Sequence, residues 1–218
     1  MIAAERLFAN RESLASHLAS DVAAALRQLV ETKGQATLAV SGGTTPGLFF
    51  DRLSMIDIAW PQITVTLVDE RQVPESSERS NARLVRATLI QNKAAAARFV
   101  PLFENPLAEA VTPLDVVILG MGNDGHTASF FPGGDHLAEA LDPAGPARII
   151  AMTAPGAGEP RLTFTLPVLL KASFLMLHIE GPEKRDILDK ALAAGPAEEM
   201  PVRAVLRSPT PVTLYWCR

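Results

Sequence analysis

Leu14, Leu18, Val22, Leu26 and Leu29 recur at steps of four and three, which puts their side chains on one face of an α-helix. Gly34 stands where such a helix would stop. The rhythm then changes. ATLAV at 36–40 is a short, mostly apolar run that ends in SGGTTPG, and Leu48, Phe49, Phe50 and Leu53 follow, with Pro46 suited to the first turn of a second helix. This is strand, Gly-rich turn, helix. The pattern recurs in ITVTLVDER (63–71), a strand ending in charges, and SNARLVRATLI (80–90), a helix beginning near Ser80. LDVVILGMG (114–122) reads as a third strand and runs into the turn-rich NDGHTASFFPGG. RIIAMTA (148–154) is a fourth strand and SFLMLHIEG (173–181) a fifth. PEKRDILDKALAAG follows as a helix with Pro182 near its start and Gly195 at its end, and VTLYWC (212–217) closes the set as a sixth strand. Residues 140–160, rich in Ala, Gly and Pro, read as an irregular loop.

Apolar strands alternating with helices predict a parallel sheet covered on both faces. In such sheets ligands bind beyond the carboxyl ends of the strands. The residues able to do chemistry gather at those predicted ends: 41–45, 69–71, 120–126 and 180–184. Four separated motifs therefore converge on one rim. A chain of 218 residues suits one core, so residues 1–218 are expected to form a single domain.

Composition narrows the class of partner. The net charge of -4 argues against a nucleic-acid binder, and any anion site must concentrate positive charge locally in a cleft. The one cysteine, Cys217, can form no internal disulfide, which fits a reducing compartment. The first residues, MIAAERLFANRES, lack a signal peptide's apolar stretch. No apolar run approaches the roughly 18 residues of a membrane span. The expectation is a cytoplasmic protein with no membrane and no nucleic-acid partner.

SGGTTP after a strand is a candidate anion cradle: glycines let the backbone approach, hydroxyls donate, and the next helix points its N-terminus at the charge. A plain strand-to-helix turn would read the same. No Gly-Lys-Ser/Thr follows, so it is not a P-loop, and the lone G-x-G-x-x-G match in GMGNDG sits mid-chain before a loop. Among the four histidines, His17 falls on the first helix, His136 in a loop and His178 inside an apolar strand, where a satisfied core histidine is expected. His126 follows Asn123, Asp124 and Gly125 at a strand's carboxyl end, where it can face a ligand, although Asn-Asp-Gly alone also makes a tight turn. Asp69, Glu70 and Arg71 end another strand, either as site residues or as a solvated ion-paired terminus. Arg161 could be an ordinary surface residue. Lys184 opens a helix, where the dipole disfavours a cation unless an anion is near. There is no His or Cys cluster with metal-ligand spacing and no G-x-S-x-G elbow, and Cys217 in a terminal apolar strand reads as packing.

The ordered set SGGTTP, VDERQVPESSERSN, LGMGNDGHTASFFPG, EPRLTFTLP and EGPEKRDIL resembles the 6-phosphogluconolactonase family over residues 39–188 at least. The wider superfamily includes glucosamine-6-phosphate deaminases, whose Asp-Gly-His turn continues toward Asn-Glu-Pro. Here it continues Thr-Ala-Ser-Phe-Phe-Pro, the lactonase form. The resemblance implies a three-layer α/β/α sandwich with a Rossmann-like, mostly parallel sheet. It implies hydrolysis of 6-phospho-D-glucono-1,5-lactone, the second step of the oxidative pentose phosphate pathway, with no metal and no cofactor, by a monomer or small homo-oligomer. Carried onto this chain, Gly42, Gly43 and Thr44, flanked by Ser41 and Thr45, would hold the phosphate with Arg161 and Lys184. His126 would be the general base, Asp124 and Asp69 would line or orient the site, and Arg71 or a backbone N–H would meet the oxyanion. Two rivals share the cradle: an isomerase or deaminase using Asp69 on an amino-sugar phosphate, and a non-catalytic sugar-phosphate sensor.

Overall fold

The first helix forms where the stripe places it. In the computed structural model, which describes residues 1–146 and 148–218, α1 runs Arg11–Lys33. Asn10 caps it by accepting from the Ser13 N–H at 2.9 Å, and Gly34, at φ 79°, closes it in the left-handed region. Before it lies β1 (Ile2–Phe8), a strand outside the six that the sequence predicts. Its middle five side chains are exposed, so it carries no burial pattern to read.

The main sheet has seven strands in the order β1-β10-β9-β6-β2-β3-β5, every pair parallel. These are β2 (Ala36–Val40), β3 (Ile63–Leu67), β5 (Arg98–Val100), β6 (Val116–Leu119), β9 (Phe174–Glu180) and β10 (Val212–Cys217), with β1. The edge strand β5 has three residues, too few to show a period. From β1 through β2 and β3 to β5 the chain steps in one direction, and from β6 through β9 to β10 it steps back. Right-handed crossovers therefore put α1, α2 (Gly47–Ser54) and α3 (Asn81–Thr88) on one face. They put α4 (Leu137–Leu141), α5 (Leu166–Leu169), α6 (Pro182–Leu192) and α7 (Val202–Leu206) on the other. Helices on both faces of a mostly parallel sheet make the expected α/β/α sandwich. No helix among the described residues is long and apolar enough to cross a membrane.

Three expectations need correction. The segment 63–71 is not one strand: the chain bends at Val68, whose N–H still reaches Val40 O at 3.0 Å while its carbonyl accepts from the Phe164 N–H at 3.1 Å. β4 (Asp69–Arg71) thereby joins a second, antiparallel sheet, order β4-β8-β7. The predicted fourth strand of the parallel sheet is β7 (Ile149–Met152), which belongs to this small sheet beside β8 (Arg161–Phe164). Residues 140–160 are accordingly not one irregular loop, since they contain the end of α4 and all of β7; Ala147 lies outside the described residues. RIIAMTA does hold a strand, but one that pairs in the small sheet and whose outward Ala151 is exposed.

Glu70 joins the small sheet to α3. It is 1% exposed. Its Oε1 accepts from the Arg71 and Asn81 N–H groups and its Oε2 from the Ala82 N–H, all at 2.7 Å, with Ser80 Oγ at 3.2 Å. A carboxylate here satisfies orphan donors at the start of α3. Burial pushes its pKa up, and the three backbone donors pull against that. Glu70→Ala should strand those donors and cost about 3 kcal/mol or more. Calorimetry should show Tm falling by roughly 6–12 °C in a chain of this size; an unchanged Tm would mean the cap contributes nothing.

Candidate active site

A cleft of about 420 Å³ opens where β2 and β6 end. One wall is the turn at residues 41–46. Ser41 stitches that turn to the neighbouring strand: its N–H and Oγ both donate to Ile118 O at 3.0 Å, and Oγ accepts from the Gly120 N–H at 3.1 Å. Its hydroxyl is thus engaged by the fold, although Ser41 lines the cleft. A Cβ on Gly42 would collide with the Asn81 amide, so only glycine admits that close approach. Gly43 has φ 88°. Thr44 and Thr45 line the cleft, and α2 starts directly behind them with no side-chain cap on its first N–H groups.

Asn81, held by the Glu70 cap, organises the next wall. Its Nδ2 donates to Asp69 O at 3.0 Å and its Oδ1 accepts from Arg71 Nη1 at 2.7 Å. Arg71 Nη1 also donates to Arg79 O at 2.7 Å, whereas Arg71 Nε is buried with no partner among the described residues. Asp69 is 6% exposed and accepts from Ser129 Oγ at 2.6 Å, with Arg161 Nη1 4.0 Å away. Arg161 is buried, not a surface residue. Its Nη2 donates to Ala157 O and its Nε to Glu159 O at 3.3 Å. Burial lowers its pKa, and the Asp69 charge opposes this. Glu159 in turn pairs with both Nε and Nη2 of Arg79, at 2.6 and 3.1 Å. That pairing holds the Glu159 carboxyl at about 2.

The third wall is the loop after β6. Gly122 N–H donates to His126 O at 2.8 Å and Gly125 N–H to Gly122 O at 3.1 Å, closing a tight turn with Gly125 at φ 79°. Asp124 Oδ1 accepts from the His126 N–H at 3.1 Å and lies 2.6 Å from Nδ1. Burial would raise the Asp124 pKa, but the His126 hydrogen bond and charge outweigh it and hold the carboxyl below its usual value. An ionised Asp124 takes the Nδ1 proton as an acceptor, which leaves the Nε2 lone pair available. A Cβ on Gly122 would collide with the imidazole. Asp124 is not on the cleft wall; it stands behind His126, which is.

Lys184, in the first turn of α6, completes the rim. It is half-buried, makes no hydrogen bond or ion pair among the described residues, and has its pKa lowered by burial against the opposing charges of Glu183 and Asp124. The structure thus brings together around one cleft Ser41, Gly42, Gly43, Thr44, Thr45, Asp69, Arg71, His126, Arg161 and Lys184. It adds Asn81, Arg79, Phe131 and His178, whose Nε2 lies 3.0 Å from Oε1 of Glu180, a residue of the predicted 180–184 rim. His178 is 3% exposed and partnered, as a core histidine should be, yet it also borders the cleft. The Ser-Asn pair before α3 was the available signal for Asn81; nothing local marked Arg79, because its partner Glu159 is distant in sequence. His17 and His136 are exposed and outside the cleft, and Cys217 is buried. Among the described residues, no group of three or more His, Cys, Asp or Glu side chains could hold a metal ion.

Known proteins resemble this chain along nearly its whole length. The 6-phosphogluconolactonase of Rhizobium meliloti is 51% identical over 230 residues, covering 99% of each chain. The crystal structure of a 6-phosphogluconolactonase from Shewanella baltica superposes with TM-score 0.92 at 36% identity, over 99% of this chain and 97% of that one. A monomeric glucosamine-6-phosphate deaminase shares the fold at TM-score 0.76 with 19% identity, over 99% of this chain and 97% of its own. A family model described as glucosamine-6-phosphate isomerases/6-phosphogluconolactonase matches residues 9–216, and to that family this chain belongs.

Proposed function

We propose that this chain hydrolyses 6-phospho-D-glucono-1,5-lactone to 6-phospho-D-gluconate, the second step of the oxidative pentose phosphate pathway. The observation that carries the reading is the pairing, in one cleft, of a carboxylate-oriented histidine with a half-buried lysine, unpartnered among the described residues, and a glycine cradle. The close likeness to named lactonases supports the substrate. Residues 1–218 act as one domain with a single hydrophobic core, without a cofactor, in the cytoplasm, on a small-molecule substrate and with no nucleic-acid or membrane partner.

The phosphate dianion binds where Gly42, Gly43, Thr44 and Thr45 offer backbone and hydroxyl donors at the start of α2, and Lys184 and Arg161 supply charge. Anchoring that remote group fixes the ring carbonyl relative to His126. Water attacks C1 while His126 Nε2 takes one of its protons, and the C1 oxygen gains the negative charge. Arg71, which lines the cleft, or a backbone N–H of the glycine turns meets that oxyanion. As the carbonyl re-forms, the C1–O5 bond breaks, and His126 returns its proton to O5. The product is the open acid with a C5 hydroxyl. Asp124 keeps the imidazole in the competent tautomer and stabilises the imidazolium.

The isomerase or deaminase alternative would use Asp69 to remove a C2 proton. Asp69 is instead engaged by Ser129 and faces Arg161, and no observation favours that reading.

Purified protein should accelerate hydrolysis of freshly made phosphogluconolactone far above its spontaneous rate, with EDTA present, and should release no ammonia from glucosamine 6-phosphate. Absence of acceleration would end the assignment. His126→Ala should lower kcat roughly 10²-fold or more, the ordinary scale of a lost general base, with Tm close to wild type. A variant that keeps its kcat would place the base elsewhere. Lys184→Ala removes a charge-assisted bond of about 1.5–3 kcal/mol, so KM for the phosphorylated lactone should rise roughly tenfold or more. Unphosphorylated gluconolactone should respond far less, and equal losses on the two lactones would take Lys184 away from the phosphate.

A further inference from the structure

His126 and Arg161, the proposed base and one proposed phosphate anchor, come from elements far apart in sequence, and no hydrogen bond joins them among the described residues. One ring touches both. Phe131 is 3% exposed and borders the cleft. The His126 imidazole stacks on it with centroids 4.2 Å apart and planes at 30°. The Arg161 guanidinium carbon sits 5.3 Å from the same ring's centroid.

The loop that carries the ring is held by hydrogen bonds. Phe130 N–H donates to Thr127 O and Gly134 N–H to Phe131 O, both at 3.0 Å, and Thr127 Oγ donates to Gly120 O at 2.8 Å. The neighbouring Phe130 is fully buried and fixes the loop in the core. Phe131 is therefore a planar surface attached to both the end of β6 and the core. A phenyl face attracts an imidazole by offset stacking and a guanidinium through its quadrupole. An aliphatic side chain of similar volume fills the space but offers no face.

We propose that Phe131 is a positioning residue for the reaction: its ring sets the distance between the base and the phosphate anchor. This rests on the assignment of His126 and Arg161 above. A substrate fixed at its phosphate presents its carbonyl at a set distance, so a drift of either group relative to the other misplaces the attacking water. A residue that merely packed would affect stability without this double effect.

The test compares Phe131→Leu with Phe131→Tyr, and Phe131→Met if the leucine variant fails to fold. Displacement of about an ångström can cost up to roughly 10²-fold, so the leucine variant should lose about tenfold or more in kcat on both lactones. Its KM should rise several-fold for the phosphorylated lactone alone, and that rise should vanish in an Arg161→Ala background, since contacting groups couple. The tyrosine variant, which keeps the ring, should stay near wild type. Independently of activity, a crystal structure of the leucine variant should show the His126 ring displaced relative to Arg161, and one of the tyrosine variant should not. An inactive wild type would refute the lactonase reading and leave this structural arm to decide the positioning role. Leucine and methionine variants with near wild-type kinetics and an undisplaced His126 ring would overturn the proposal. So would a KM penalty that persists without Arg161, or tyrosine and leucine variants that lose activity equally in step with Tm.

Discussion

The site depends on a single topological constraint: the chain leaves β2 toward one face of the sheet and leaves β6 toward the other. β2 and β6 are hydrogen-bonded neighbours, Val40 opposite Ile118. Right-handed crossovers send their continuations apart, so a gap opens above their carboxyl ends whatever side chains are present. Ser41 ties the two strand ends together across that gap, through Ile118 O and the Gly120 N–H. The glycine turn and the histidine turn therefore begin from adjacent, rigidly linked points. The space between them is set by the strand pairing together with the Ser41 hydroxyl.

Close approach explains two of the glycines better than freedom of backbone does. Gly42 lies against the Asn81 amide and Gly122 against the His126 ring, each with no room for a methyl group. Asn81 is fixed because Glu70 caps α3 from beneath. It then holds Arg71 and the Asp69 carbonyl. A buried carboxylate that looks structural thus sets the position of an arginine in the cleft, two contacts away.

Much of this was legible in the sequence. The helical stripe of α1 with its Gly34 end, the parallel core strands and the convergence of four motifs on one rim all follow from local periodicity and turn chemistry. What was not legible has a common cause. β1 is exposed on both faces and β5 has three residues, so neither carries a period, and β7, readable as a strand, joins the small sheet only through its pairing with β8. The bend at Val68 is imposed by pairing with β8, nearly a hundred residues on, so local sequence could not reveal that Asp69–Arg71 belong to a different sheet. Burial of Arg161 and the pairing of Arg79 with Glu159 are likewise long-range outcomes. The chemical identity of residues was readable at turns and strand ends, and their partners were not.

Partnership is what separates the cations of the cleft from one another. A chain of net charge -4 collects Arg71, Arg79, Arg161 and Lys184 around one opening. Three arginines left unpaired there would repel each other and lose hydration. Each is instead tethered: Arg71 to Asn81 and a backbone carbonyl, Arg79 to Glu159, and Arg161 to backbone carbonyls with Asp69 nearby. These tethers hold the guanidinium groups in orientation before any ligand arrives, so little rotamer freedom is left to lose on binding. Lys184 differs, because burial disfavours its charge, the charges of Glu183 and Asp124 offset this only in part, and no hydrogen bond or ion pair holds it among the described residues. An arriving dianion would supply the missing partner. The tethered arginines thus present fixed donors to the cleft, and an anion bound there would leave the lysine with the most to gain.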